Sequence, residues 1–110
     1  MELVGYERLS LVGPMASGKT TLGRLLARQL GLQFVDSDHE IERRNGVSIA
    51  TIFDIEGEDA FRDREERAID ELMDRQGVLV ATGGGVVLRE ANRVRLRQES
   101  LVLFLSLIHI

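Results

Sequence analysis

The sequence predicts an α/β fold in which a central parallel sheet carries helices on both faces. Three observations predict it. Short, almost continuously apolar segments alternate with longer segments of helical periodicity. The apolar segments are unbroken rather than alternating, which marks strands buried on both sides. The first of them runs straight into Gly13-Pro14-Met15-Ala16-Ser17-Gly18-Lys19-Thr20, a G-x-x-x-x-G-K-[ST] loop that opens a helix.

The elements follow in order. Leu9-Ser10-Leu11-Val12 forms a strand over about 8–13. The helix over about 18–30 places Leu22, Leu25, Leu26 and Leu30 on one face and stops at Gly31. Gln33-Phe34-Val35 is a second strand, ending at Asp36-Ser37-Asp38. Residues 38–45 and 48–55 read as two short helices parted at Asn45-Gly46. The spacing predicts a longer helix over 58–75 with Phe61, Ala68, Ile69, Leu72 and Met73 buried. Its exposed face carries Glu58/Arg62 and Asp63/Arg67 at i,i+4. Val78–Ala81 is the third strand and ends at Thr82-Gly83-Gly84-Gly85. A helix near 89–98 and a fourth strand from Leu101 complete the pattern, with no repeat and no linker.

A chain of 110 residues makes one domain, and 44% hydrophobic residues suffice for a core. The net charge of −4, with both signs interspersed, argues against a nucleic-acid or membrane-surface footprint but leaves room for one local anion pocket. There is no cysteine, hence no disulfide framework or thiolate metal site. Met1–Tyr6 lacks a signal-peptide pattern, and Leu101–Ile110 is too short for a bilayer span. The expectation is a cytoplasmic monomer without nucleic-acid or membrane partners.

In parallel sheets, ligands bind beyond the carboxyl ends of the strands, and three unusual segments fall there. In the glycine-rich loop, backbone amides and the helix N-terminus converge on an anion. Lys19 reaches the β- and γ-phosphates and Thr20 ligates Mg²⁺. The loop alone leaves kinase, GTPase and ATPase open. At the second strand end, Asp36 and Asp38 point to one side if the strand persists. One carboxylate would then serve the Mg²⁺ shell and the other a substrate hydroxyl; the competing reading makes Asp38 the N-cap of a helix starting at His39. At the third, Gly83, Gly84 and Gly85 exceed what a turn needs and predict close backbone approach to a ligand, against a merely flexible loop. Arg62 is either a surface ion pair with Glu58, which spacing favours, or a fork for a substrate carboxylate. His39, Pro14 and Met15 receive no chemistry.

Taken together these motifs resemble shikimate kinase, a small P-loop kinase family of the nucleoside-monophosphate-kinase-like group. The resemblance runs from about Leu9 to Phe104. It rests on Gly13–Thr21, on Asp36-Ser37-Asp38, on Ile52-Phe53, Gly57-Glu58, Phe61-Arg62 and Glu65, and on Ala81–Gly85. It implies a three-layer sandwich and transfer of the ATP γ-phosphate to the 3-hydroxyl of shikimate, on the route to chorismate. Gly13, Ala16, Ser17, Gly18, Lys19, Thr20 and Thr21 would hold ATP, with Mg²⁺ on Thr20 and Asp36. Asp38 would grip the shikimate hydroxyls and orient or deprotonate the nucleophile, and Arg62 would pair with the carboxylate. The glycines 83–85 would line the substrate, Gly84 through its N–H. Lys19, Asp38 and Arg62 are thus the expected catalytic set. Ala16 stands where the family usually has glycine and requires a negative φ.

The family's lid arginine, second carboxylate-binding arginine and adenine loop have no counterpart here. Residues 1–104 are therefore read as the N-terminal portion of one such domain, its C-terminal part missing. Leu105–Ile110 breaks the family pattern and matches the translated end of a transposon used in sequencing libraries, so 105–110 is read as a non-native tail. Without the missing part the sheet lacks cover, and poor solubility and negligible turnover are expected of this chain alone. Two alternatives stand beside the main reading: a related small-molecule kinase, such as one acting on gluconate, and a non-catalytic ligand-sensing module.

Overall fold

The computed structural model describes residues 7–13 and 18–104. Four strands form one parallel sheet: β1 (Arg8–Val12), β2 (Gln33–Asp36), β3 (Val78–Ala81) and β4 (Leu101–Phe104), in the order β2-β3-β1-β4. β1 and β3 pair with Leu9 against Leu79 and Leu11 against Ala81, β2 joins β3 with Asp36 opposite Ala81, and β4 joins β1 with Leu101 opposite Leu9. The C-terminal ends of β1, β2 and β3 therefore lie level on one edge of the sheet. This register brings together the three segments singled out in the sequence.

Alternate residues of the strands supply two cores. Leu9, Leu11 and Leu79 face helix α1 (Lys19–Leu30), where Ala27, Leu26 and Leu30 cover them. Val12, Val35, Val78 and Val80 face the other way, against Ile69, Leu72 and Met73 of and beside α4 (Glu58–Leu72) and Leu96 of α5 (Glu90–Glu99). A third cluster, Ile41, Ile52, Phe61 and Ala68, joins α4 to the short helices α2 (Ser37–Asn45) and α3 (Ile49–Glu56). Burial on both faces explains why the strands read as unbroken apolar runs.

Several expectations shift in detail. The buried face of α1 centres on Gly23 and Ala27, and Leu25 is 51% exposed. The reason is proximity: a Cβ on Gly23 would stand 2.5 Å from the Phe34 ring, so α1 lies closer to the sheet than a leucine stripe allows. α4 ends at Leu72 rather than 75, and α5 is preceded by a short 3₁₀ turn, Val86–Leu88, absent from the sequence reading. Arg62 does not lie on the exposed face of α4. Its side chain is 15% exposed, 3.8 Å from Glu58 but 3.0 Å from Glu65, and Asp63 bonds Arg89 at 2.7 Å across to the turn before α5. Asp36, not Asp38, caps α2: its Oδ1 accepts from the Asp38 N–H at 2.9 Å and the His39 N–H at 3.2 Å, so the helix starts at Ser37 rather than at His39. The tail read over 105–110 lies outside the described residues, as do Ala16, its φ, and Ser17.

Candidate active site

Helix α1 starts directly from the glycine-rich loop. Gly18 takes the left-handed conformation (φ 82°) that turns the chain into the helix, and no side chain caps the helix start. Its first free amides are thereby left to an external acceptor. Lys19, the first helical residue, is only 8% exposed. Its Nζ donates to the Gly13 carbonyl at 2.7 Å and to the Thr82 carbonyl at 2.6 Å, bridging the ends of β1 and β3. Burial lowers its pKa, opposed by the nearby charges of Asp38 and Asp36.

A cavity of about 340 Å³ opens at this edge. From the loop and α1 it is lined by Gly18, Lys19, Thr20 and Thr21. Asp36 and Asp38 line it from the end of β2, and Ala81, Thr82, Gly83 and Gly84 from the end of β3. Asp38 sits in the first turn of α2, partly buried. Burial lifts its carboxyl above the usual carboxylate range; Asp36 and, more weakly, Glu42 add to this, while Lys19 and Arg62 oppose it. The site thus joins a buried ammonium, the threonines Thr20 and Thr21 and two carboxylates, one of them partly engaged in capping.

The glycine run has a spatial reason. A Cβ on Gly83 would overlap the Asp38 carboxylate, and one on Gly85 would stand 2.5 Å from both terminal nitrogens of Arg62. Gly83 and Gly85 are therefore the surfaces on which Asp38 and Arg62 rest, while Gly84 between them is exposed to the cavity. Arg62 and Gly85 do not line that cavity; they stand beside it, joined to it through the glycine run. Arg62 Nη1 bonds Glu65 Oε1 at 3.0 Å, and Glu65 is 1% exposed with its Oε2 unpartnered. Burial pushes Glu65 up against the opposing pull of Arg62.

The structure thus brings Gly13, Gly18, Lys19, Thr20, Thr21, Asp36, Asp38, Gly83 and Gly84 to one place, with Arg62 and Gly85 adjoining. Sequence reasoning gave no role to Ser37, whose hydroxyl accepts the buried Gly83 N–H at 3.0 Å, or to Thr82. It quoted Glu65 without a task. Glu65 carried a usable signal: it stands four residues after Phe61 and three before Ala68, on the buried stripe of α4, where a charge needs a partner.

The family model for shikimate kinase matches residues 15–108. The chain belongs to the shikimate kinase family. Curated relatives agree: the chain is 54% identical over 96 residues to shikimate kinase 1 of Enterobacter sp. (strain 638) and 56% identical over 96 residues to the shikimate kinase of Pasteurella multocida (strain Pm70). These matches take in 87% of this chain but 56% and 55% of the relatives, so the chain spans about half the length of the curated relatives it matches. Among solved structures, shikimate kinase from Acinetobacter baumannii in complex with shikimate superposes with a TM-score of 0.92 at 47% identity, over 94% of this chain and 58% of that one. Shikimate kinase from Aquifex aeolicus gives 0.84 at 37%, over 88% and 61%. A gluconokinase from Sinorhizobium meliloti, at 0.54 and 19% identity, shares the fold alone. The expected α/β architecture with a central parallel sheet therefore holds for this chain. Among the described residues no helix is long and apolar enough to cross a membrane.

Proposed function

We propose that the protein to which these residues belong transfers the γ-phosphate of ATP to the 3-hydroxyl of shikimate. The observation that carries this reading is the arrangement of the glycine run. It sets a carboxylate (Asp38) on Gly83 and a guanidinium (Arg62) on Gly85, two positions apart, next to the cavity that holds Lys19. A substrate with hydroxyls at one end and a carboxylate at the other matches that pair.

Phosphoryl transfer asks the protein mainly for alignment and charge neutralisation. In this reading the loop amides, Gly18 and Lys19 bind the phosphates, with Thr21 beside them. Lys19 exchanges its bonds to the Gly13 and Thr82 carbonyls for phosphate oxygens. Asp38 accepts a hydrogen bond from the attacking hydroxyl and takes its proton as the new P–O bond forms and the bond to the ADP oxygen breaks. A carboxyl raised by burial is better matched to that task than an ordinary one. Arg62 holds the carboxylate, and the amide of Gly84 contacts the same ligand.

Thr20 and Asp36 would hold Mg²⁺. Among the described residues no group of three or more acidic, His or Cys side chains could cage a metal. A hydroxyl and one carboxylate beside a phosphate subsite suit a hard cation that keeps water and phosphate ligands. When bound, Mg²⁺ supplies charge neutralisation on the phosphates.

The test is a chimera in which residues 1–104 replace the matching segment of the Acinetobacter baumannii enzyme. ADP release is followed with shikimate and with gluconate as acceptors. Shikimate-dependent ADP release that Asp38→Asn abolishes is the expected result. Release with gluconate only, or shikimate binding without release, would overturn the proposal in favour of a related kinase or a sensing module.

A further inference from the structure

Ser37, the middle residue of Asp36-Ser37-Asp38, is fully buried. Its Oγ accepts the Gly83 N–H at 3.0 Å, a bond buried throughout and linking residues 46 apart in sequence. The bond joins the first residue of α2 to the first glycine after β3. These two segments carry Asp38 and the surface on which its carboxylate rests. Gly83 also accepts, through its carbonyl, the Val86 N–H at 3.2 Å that starts the 3₁₀ turn. The position of Gly83 therefore fixes the run up to Gly85, where Arg62 packs. A buried amide deprived of its acceptor pays its full desolvation cost, so the loop must move if the hydroxyl is lost.

We propose that Ser37 is a positioning residue for substrate recognition: its hydroxyl latches the glycine run to the start of α2 and so sets the Asp38 and Arg62 subsites at their mutual spacing. The proposal rests on the reading of Asp38 and Arg62 as the shikimate-binding pair. Ser37 touches no substrate in it; it acts through Gly83. Lys19 meets the same peptide unit through the Thr82 carbonyl, but in the reading above it gives up that bond to phosphate, and the free amides at the start of α1 have no bond to Ser37 or Gly83, so the larger effect falls on shikimate.

The test uses the chimera described above, titrated calorimetrically with shikimate and separately with ADP, with parallel kinetics. Ser37→Ala is expected to weaken shikimate binding by about tenfold, the equivalent of one lost net hydrogen bond. ADP binding stays within about twofold and exchange of the Gly83 amide accelerates. Ser37→Thr, which keeps the hydroxyl, restores both, whereas Ser37→Cys, a poor acceptor of similar size, behaves like the alanine variant and covers the case in which alanine prevents folding. Parent-like shikimate affinity in the alanine or cysteine variant, or an equal loss for both ligands, overturns the proposal. Asp38→Asn separates the two levels. If it loses shikimate while Ser37→Ala does not, the latch alone is wrong; if it binds shikimate normally, the underlying reading fails and the latch with it.

Discussion

Gly85 lies flat against the guanidinium of Arg62: a Cβ in its place would stand 2.5 Å from Nη1 and from Nη2. Its backbone is ordinary (φ −98°, ψ 7°), so conformational freedom is not what calls for glycine. Space is. Gly85→Ala should therefore displace Arg62 without straining the turn, and because Arg62 is tied to the buried Glu65, the guanidinium has few other places to go. Shikimate affinity of the chimera is expected to fall by about tenfold or more, with ADP binding within about twofold. Calorimetry with each ligand checks it, and unchanged shikimate affinity would show that Arg62 is not placed by Gly85.

Arg62 also carries a structural duty toward Glu65. The carboxyl of Glu65 is 1% exposed and raised above its ordinary 4.5 by burial, with Arg62 its main compensation. Because the folded-state value is raised, protonation is favoured in the folded protein. Stability is fully present below pH 4.5 and declines as pH rises through the folded value. Arg62→Ala should steepen that decline, costing about 3 kcal/mol at neutral pH and little at pH about 4. Arg62→Ala/Glu65→Leu should recover most of the loss at neutral pH. Urea unfolding of the single and double variants at both pH values measures this.

The layered sheet and the grouping of three strand ends were legible because a parallel sheet buried on both faces leaves a simple signature. Val78–Ala81 is apolar throughout, and Leu9–Val12 is interrupted only at Ser10, whose buried hydroxyl pairs with that of Ser100 at 2.8 Å. The glycine-rich loop was legible because its spacing is fixed by phosphate geometry. What escaped was tertiary. Nothing local says that α1 lies so close to Phe34 that Gly23, not Leu25, faces inward. Nor does spacing reveal whether Arg62 turns toward Glu58 or Glu65, since i,i+3 and i,i+4 are equally open on a helix. The competing reading of Asp38 as the cap of α2 fails by two residues, because Asp36 and Asp38 are both good caps and only the course of β2 decides which precedes the helix.

Asp38 should shape the pH dependence of turnover. Burial and the neighbouring Asp36 hold its carboxyl above the usual range, so the free-enzyme base becomes available only at a pH above that of an exposed aspartate. The acidic limb of kcat/KM for shikimate in the chimera is expected to lie above pH about 4. Asp36→Asn, which removes the second-largest cause of the shift, should move that limb downward while also weakening Mg²⁺ dependence. Asp38→Asn should remove the limb along with the activity. A limb at the position of an ordinary aspartate would contradict the role given to this residue.

The helix that presents Asp38 is itself anchored by a charge cluster whose pH behaviour has the opposite sign. Glu40, 7% exposed, accepts from Arg43 Nη2 at 2.7 Å and from Arg44 Nε and Arg75 Nη2 at 3.3 Å, tying α2 to the segment that follows α4. The Arg43 hydrogen bond, helped by Arg44 and opposed by burial, pulls its carboxyl from 4.5 to about 2. A lowered folded-state value gives stability that is present above pH 4.5 and lost as pH falls toward about 2. Asp38 and Glu65 behave inversely, each adding stability below the ordinary carboxylate range and losing it as pH rises. These three groups together therefore favour stability at mildly acidic pH, with loss on the acid side through Glu40 and on the alkaline side through Asp38 and Glu65. Glu40→Gln should lower stability by about 2 kcal/mol at neutral pH, the worth of a charge-assisted hydrogen bond. It should also flatten the acid limb between pH 4.5 and about 2 while leaving the alkaline slope in place. Chemical unfolding across that range measures both, and an acid limb that survives the substitution would assign it to other carboxylates.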